Sequence, residues 1–222
     1  MTAEVNNMQE KISEALNKAL ESAKERKFVE TVEMSFNLKD IDLKNPANRV
    51  QEEVRLPKGR GKELSIAMFA AGEAATKAKS SGITIIDPSE IEDMGGDKKI
   101  AKKMAKRHDF FLSEVAHMAT VGRYLGVVLG PRGKMPRPVP PKVDPGLIAN
   151  GLKGTVIIRS RDKVTFHVAI GTVSQSEEDL LENALAVFNR VIGKLERGVG
   201  NIRTMFIKTT MGTSIRVEVD ES

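Results

Sequence analysis

The chain has 222 residues, 40% of them hydrophobic, so it can form one large domain or two small ones. Its formal net charge of +5 indicates an acidic partner, with nucleic acid first among the candidates. The lack of cysteine excludes disulfides, thiolate metal sites and cysteine nucleophiles, and aromatic residues at 4% exclude base stacking as the main mode of recognition. No apolar run reaches the ~18 residues of a membrane helix and the N-terminus lacks a signal-peptide core, so we expect a cytoplasmic protein without a membrane partner.

The first sixty or so residues predict one helix and two strands. Apolar residues at helical spacing predict an amphipathic helix over 7–25. The segment KFVETVEMSFNL then alternates with a period of two, which predicts a strand that carries Glu30 on its mostly apolar face. A second strand, NRVQEEVRL, lies between Pro46 and Pro57, and the glycine-rich basic turn PKGRGK follows it.

The middle of the chain has a different pattern. LSIAMFA and ITIID are continuous apolar runs, typical of strands that are buried on both faces. They alternate with GEAATKAKSSG, a predicted helix closed by Gly82, and with the charged helix DKKIAKKMAKR, which Asp97 can cap. HDFFLSEV, the proline-rich loop PRGKMPRPVPPK and the short helix DPGLIANGLKG follow. This alternation predicts a βαβ unit with parallel pairing.

The last part returns to longer amphipathic strands. TVIIRS, KVTFHVAIGT, NIRTMFIKT and TSIRVEV predict strands, and Ser176 with Asp179 predicts the start of a helix that continues to Leu195. We therefore predict an α+β protein with two domains. A discontinuous domain formed by 1–65 and 154–222 receives an inserted βαβ domain, Rossmann-like and three-layered, over 66–153. One continuous α/β domain remains the alternative.

The sequence predicts no catalytic, metal or cofactor site. The three histidines lack metal-ligand spacing, and no HExxH, GxSxG or P-loop motif occurs. His167, between two apolar strand residues, is more often structural than catalytic. Basic residues are the stronger signal, although a solvated helix face or a rigid connection explains some of them equally well. They are Lys98, Lys99, Lys102, Lys103, Lys106 and Arg107 in one helix; Arg132, Lys134, Arg137 and Lys142 in the proline-rich loop; and Lys27, Arg159, Arg161, Lys163 and Lys208 around the outer strands.

Four ordered motifs resemble a known family. RKFVETVEMSFNLKDIDLKNPANRVQEEVRLPKG, LGVVLGPRGKMPRPVPP, RSRDKVTFHVAIGT and TTMGTSIRV closely resemble ribosomal protein L-one in its archaeal form. The resemblance implies a two-domain fold and a monomer, off the ribosome, that needs no cofactor. It also implies binding to a junction in large-subunit ribosomal RNA, where the protein forms a mobile stalk beside the tRNA exit site. The stalk moves with deacylated tRNA, and many members also repress translation of their own messenger RNA.

The resemblance also implies which residues contact RNA. They are Lys27, Phe28, Glu30 and Thr31 in the first strand, His167 and Gly171, and Thr210, Met211, Gly212 and Ser214. Two positions depart from the family pattern: Thr172 replaces a common Lys, and Thr213 replaces a common Pro. We expect the small residues to let the RNA backbone come close, with Gly212 adopting an unusual φ. Glu30 would face the RNA and accept a hydrogen bond from a 2′-hydroxyl or a guanine edge.

Two other function classes fit parts of the sequence. A basic RNA-binding protein without specificity would bind by charge alone, with a steep salt dependence. A nucleotide-binding enzyme would use the carboxyl ends of the parallel strands, but the phosphate-binding fingerprint is missing.

Overall fold

The computed structural model describes residues 2–219, with side chains from residue 7 onward. It contains seven α-helices and ten strands within that range. In chain order they are α1 (Thr2–Glu21), β1 (Thr31–Leu38), β2 (Gln51–Arg55), β3 (Ile66–Phe69), α2 (Gly72–Ser80), β4 (Thr84–Ile86), α3 (Glu90–Gly96), α4 (Lys98–Arg107), β5 (Phe110–Glu114), α5 (Met118–Leu129), β6 (Arg137–Val139), α6 (Pro145–Lys153), β7 (Thr155–Arg159), β8 (Thr165–Thr172), α7 (Glu177–Lys194), β9 (Ile202–Thr209) and β10 (Ile215–Val217).

The chain folds into two compact units. The described residues up to Lys62 and from Gly154 onward form the first unit, and Glu63–Lys153 form the second, inserted unit. The first unit has antiparallel sheets and the second has a parallel sheet. The predicted α+β fold class is therefore confirmed.

The main sheet of the first unit has the strand order β10-β9-β1-β8, and all its pairs are antiparallel. The period-two pattern of β1 buries Val32, Met34 and Phe36 completely, and the Phe36 ring stacks on Phe166 at 5.3 Å. Apolar residues of α1 and α7 join the same core. The other face of the sheet stays partly accessible, and this open face bears on the site.

The predicted bounds of the first helix and the start of the first strand are wrong. The helix runs over Thr2–Glu21 rather than 7–25, and β1 begins at Thr31 rather than at residue 27. The reason is the sheet register: Thr31 pairs with Thr172, the last residue of β8, and Val32 pairs with Thr209, the last residue of β9. Neither neighbouring strand extends far enough to pair with the residues before Thr31.

Helix α7 begins where the sequence predicts. The Ser176 hydroxyl accepts a hydrogen bond from the Asp179 N–H at 3.2 Å, and three acidic residues occupy the first turn, where they complement the helix dipole. The buried Asn183 amide accepts from the Lys58 N–H at 3.0 Å and donates to Gly59 O at 2.9 Å. It thereby fixes the glycine-rich turn to the core of the unit.

The inserted unit is a parallel sheet with the order β4-β3-β5-β6. All four residues of β3 are buried, as the apolar run predicts. Apolar residues of α3, α4 and α5 pack on this sheet in one core cluster. The loop prediction for PRGKMPRPVPPK is wrong at Arg137–Val139, which form the edge strand β6; Pro138 is tolerated there because an edge strand leaves one side unpaired.

Candidate nucleic-acid interface

Three connecting segments converge at one end of the main sheet of the first unit. They are residues 26–30 before β1, 173–175 after β8, and 210–214 between β9 and β10. The backbone links them, because the Val173 N–H donates to Glu30 O at 3.0 Å. Residues that are far apart in the sequence therefore form one surface at this sheet end.

A buried carboxylate lies beneath that surface. Glu30 is 3% exposed, and its Oε1 lies 2.7 Å from Arg26 Nε. Its Oε2 accepts a hydrogen bond from the Met211 N–H at 3.3 Å. We call Arg26, Glu30, Thr209, Thr210 and Met211 the strand-end cluster. It joins residues about 180 positions apart in the chain.

The electrostatics of the cluster keep Glu30 charged. The pKa of Glu30 is lowered, mainly by the Thr209 hydroxyl, with further contributions from the Met211 N–H and Arg26; burial acts in the opposite direction. In the free protein the Glu30 side chain is buried among these partners and not exposed on the surface. Its contact with RNA stays a prediction. Its physical role is to hold the loop that carries Met211.

Thr210 and Gly212 shape the loop in two ways. The Thr210 hydroxyl accepts from the Thr31 N–H at 3.0 Å and donates to Thr31 O at 3.3 Å, so it replaces a strand neighbour at the end of the sheet. The expected unusual φ at Gly212 is wrong, since its φ is not in the left-handed region. A Cβ at Gly212 would instead overlap the Thr209 hydroxyl, and this close approach is what requires glycine.

The side chains that remain available for a ligand lie around this loop. Phe28 is 53% exposed and Met211 is 60% exposed. Lys27, Thr213 and Ser214 are also exposed. An anchored loop with a small polar edge, an apolar tip and one nearby cation can contact sugars and phosphates at short range.

The open face of the sheet continues the surface. Ser35 of β1 lies opposite His167 of β8 and Phe206 of β9, and Phe206 lies opposite Arg216 of β10. His167 and Arg216 are exposed, while Phe206 is half-buried. Lys208 lies in the neighbouring row, opposite Glu33.

Sequence reasoning missed Phe206, Arg216, Ser35 and Arg26. The alternation in NIRTMFIKT was a usable signal for Phe206, because it places Thr204, Phe206 and Lys208 on the face opposite Met205 and Ile207. No local signal pointed to Arg26.

Gly171 and Thr172 have internal roles. A Cβ at Gly171 would overlap the Gln175 amide and the Leu180 side chain, so glycine is needed for packing against α7. Thr172 is 4% exposed, and its hydroxyl lies 2.8 Å from that of Ser174. The replacement of the family's common Lys at this position therefore introduces a buried, hydrogen-bonded side chain.

Six of the predicted basic residues were expected to make secondary contacts with RNA, and all except Lys208 lie elsewhere. The six are Arg132, Lys134, Arg137, Arg161, Lys163 and Lys208. Arg161 and Lys163 precede β8, whose full length of about 23 Å separates them from the strand-end cluster. Arg132, Lys134 and Arg137 belong to the inserted unit, where each has an internal contact. These are Arg132 Nη1 to Val128 O at 2.8 Å, Lys134 Nζ to His108 O at 2.7 Å and to Ala105 O at 3.0 Å, and the Arg137 guanidinium 5.9 Å from the Phe110 ring centroid.

The described residues contain no group of three or more histidine, aspartate or glutamate side chains that could hold a metal ion. Among the helices described, none is long and apolar enough to cross a membrane. What the fold does present is an anchored loop of small residues at the end of an open, partly basic sheet. Such geometry defines a binding protein of the nucleic-acid-recognising class.

Comparison with known proteins gives the family. The model of the ribosomal protein L1p/L10e family matches residues 18–213. The large ribosomal subunit protein uL1 of Thermoplasma acidophilum is 44% identical over 95% of this chain and 97% of its own length. The uL1 proteins of Picrophilus torridus and Pyrococcus horikoshii are each 47% identical, over 90% and 94% of this chain and 94% and 96% of their own lengths.

The chain belongs to the ribosomal protein L1p/L10e family. The resemblance found in the four sequence motifs is thus confirmed, including its archaeal character. Members of this family are ribosomal proteins and not enzymes, so the alternative of a nucleotide-binding enzyme is wrong.

Proposed function

We propose that this protein is a structural constituent of the large ribosomal subunit, working on the ribosome in the cytoplasm. Its first unit would be the RNA-binding domain, with Glu63–Lys153 as a domain inserted into it. The relatives' names support the assignment, since they are large-subunit proteins. The bound ligand is a junction in large-subunit ribosomal RNA, and the complex forms the mobile stalk beside the tRNA exit site.

The observation that carries this proposal is the anchoring of the Met211 loop by the buried Glu30. A loop that is already fixed loses little conformational entropy when it docks. Its small residues let the RNA backbone approach, and hydroxyl groups meet 2′-hydroxyls in the shallow minor groove. Exposed Lys27 and half-buried Lys208 supply phosphate contacts at its rim. Recognition is therefore by shape, supported by a few charges.

The same RNA-binding surface would also serve two more specific functions, movement of the stalk with tRNA and repression of the protein's own messenger RNA. Stalk movement with deacylated tRNA follows from the position of the bound RNA on the ribosome. Repression of the protein's own messenger RNA requires a similar junction in that messenger. One interface binds one RNA at a time, so ribosomal RNA and messenger must compete. A competition titration with the two RNA fragments tests this, and simultaneous binding of both would contradict it.

The main test compares a stalk-junction RNA fragment with a plain RNA duplex of equal length, each at two salt concentrations. We expect tight junction binding that survives the higher salt, and duplex binding that is weaker by about a thousandfold or more. Equal affinities that collapse together with salt would overturn the proposal and leave a basic RNA-binding protein without specificity.

A further inference from the structure

We infer that helix α4 of the inserted unit is a second RNA-binding surface, one that contacts the phosphate backbone without reading shape or sequence. The inference rests on the proposed function for the class of its partner, and it concerns residues that the strand-end cluster does not use. Six of the ten residues of α4 are cations: Lys98, Lys99, Lys102, Lys103, Lys106 and Arg107.

All six cations are exposed, whereas Ala101, Met104 and Ala105 are buried against the sheet. None of the six has an ion-pair partner among the described residues, although the preceding helix α3 carries Glu90, Glu92 and Asp93 in its first turn. A helix face that served only solubility would normally mix both signs of charge. This face carries one sign only.

The positions of the cations also work against the helix itself. Lys98 and Lys99 occupy the first turn, where the helix dipole favours acidic residues, and no acidic residue is present there. The Asp97 cap, which accepts from the Lys99 N–H at 2.7 Å, offsets part of this cost. Like charges at i and i+4, such as Lys99 and Lys103, destabilise an isolated helix. Internal stability therefore does not explain the cluster.

The geometry fits a phosphate backbone. Lys99, Lys103 and Lys106 lie on the side of α4 opposite its buried residues, and we call these three the basic crest. The crest spans about 10 Å along the helix axis, which allows about two or three phosphate contacts. Ile100, 51% exposed, is the apolar residue beside the crest and can cover a sugar. A nucleic-acid backbone is the partner with this density of negative charge.

The distribution of charge along the chain also supports an RNA-binding surface in the inserted unit. Glu63–Lys153 carries 14 Lys and Arg against 10 Asp and Glu, and the rest of the chain carries 21 against 20. The excess of positive charge thus resides almost wholly in the inserted unit and not in the unit that holds the interface already described. It supplies a long-range attraction for RNA that the nearly neutral first unit lacks.

The test uses the full chain with the triple substitution Lys99→Gln, Lys103→Gln and Lys106→Gln. The matched control is Lys79→Gln, Lys142→Gln and Lys153→Gln, which removes the same charge from exposed positions of the same unit. Binding to a plain RNA duplex is followed by fluorescence anisotropy over a series of salt concentrations. We expect the slope of log K against log salt to become shallower by about two to three for the crest variant and by less than about one for the control.

At the lowest salt the crest variant should bind duplex at least about tenfold more weakly than wild type. Its preference for the stalk-junction fragment over duplex should be equal to that of wild type or larger. Equal slopes for the two variants would overturn the inference, because only net charge would then matter. A reduced junction preference would overturn the claim that the contact ignores shape.

Two further outcomes distinguish this inference from the proposed function and from binding to a membrane. If wild type fails to prefer the junction, the proposed function fails, while the slope comparison still decides the role of the crest. If the crest variant loses binding to anionic phosphatidylserine vesicles but keeps its duplex slope, the partner is a membrane and the RNA assignment is wrong. Triple Lys→Arg substitution at the crest should retain the wild-type slope, since it keeps the charge.

Discussion

The two units of this protein differ in net charge and in the surfaces that they present. The first unit is nearly neutral, with 21 basic against 20 acidic residues, yet it holds the anchored loop and the open sheet face. The inserted unit is basic, with 14 against 10, yet its strongest basic feature is the unpaired face of α4. Net charge therefore indicates the class of partner but does not locate the specific site. Substitutions in either unit can test this division.

The largest effect is expected at the buried carboxylate. Glu30→Ala removes the acceptor for the Met211 N–H and leaves Arg26 without its ion pair, so junction affinity should fall at least about tenfold. The control is Glu33→Ala, which removes an equal charge from the open face of β1, the strand that follows Glu30. Filter binding with the stalk-junction fragment compares the two. Equal losses would mean that charge and not loop anchoring matters.

Loss of the apolar loop tip should have the next largest effect. Met211 is 60% exposed, and we expect Met211→Ala to weaken the junction complex by about 1 kcal/mol with an unchanged melting temperature. Met135→Ala in the inserted unit, where Met135 is 41% exposed, serves as its control. Isothermal titration provides the affinities. If neither substitution changes the affinity for the junction RNA, the Met211 loop is not the binding site.

Lowering the pH should reduce the stability of the two units over different pH ranges. Burial lowers the pKa of His108, with help from Arg107 and Lys134 and against Asp109, so its neutral form is favoured in the folded unit. Neutral His108 therefore makes its full contribution to the free energy of unfolding above its ordinary pKa of 6.5, and this contribution is lost as the pH falls below that value. Glu30, whose pKa is lowered from 4.5, contributes fully above that value and loses its contribution only at more acid pH.

The single tyrosine makes this difference measurable. Tyr124 lies in α5 of the inserted unit and the chain has no tryptophan, so tyrosine fluorescence reports that unit alone. Between pH 6.5 and 5 we expect its thermal midpoint to fall by a few degrees. His108→Gln should abolish the trend. A midpoint that stays constant over this range would contradict the prediction.

A peripheral cation of the first unit should give the smallest effect. Arg216→Gln on the open face should reduce the salt slope for junction RNA by about one and leave the preference over duplex unchanged. Arg203→Gln, at the other end of the same sheet, should leave the slope as in wild type. Loss of preference with Arg216→Gln would instead place a specific contact on β10.

The sequence predicted the elements that depend on local patterns. The alternation in β1, the apolar run of β3 and the Ser176 cap of α7 depend on neighbours within a few residues. The helices α3 and α5 and the strand β6 were not predicted. The strand was missed because three residues with a central proline have no periodicity to detect.

The candidate site was predicted less completely than the fold. Its residue types came from the resemblance, which included Glu30, Met211 and Gly212. Their physical roles did not, because these roles depend on contacts between segments about 180 residues apart. Burial of Glu30 needs both Arg26 and the Met211 loop, and no pattern within either segment indicates the other. The requirement for glycine at 212 likewise depends on its contact with Thr209.

The strand order β10-β9-β1-β8 also has a consequence for synthesis. The partners of β1 all follow residue 164, so its apolar face stays without a sheet while the whole inserted unit is translated. That unit can fold first, because its sheet is formed within Glu63–Lys153. Glu30 meets Met211 only after β9 has emerged. If the two surfaces bind RNA as proposed, a nascent chain presents its phosphate-attracting helix before it can choose among RNAs.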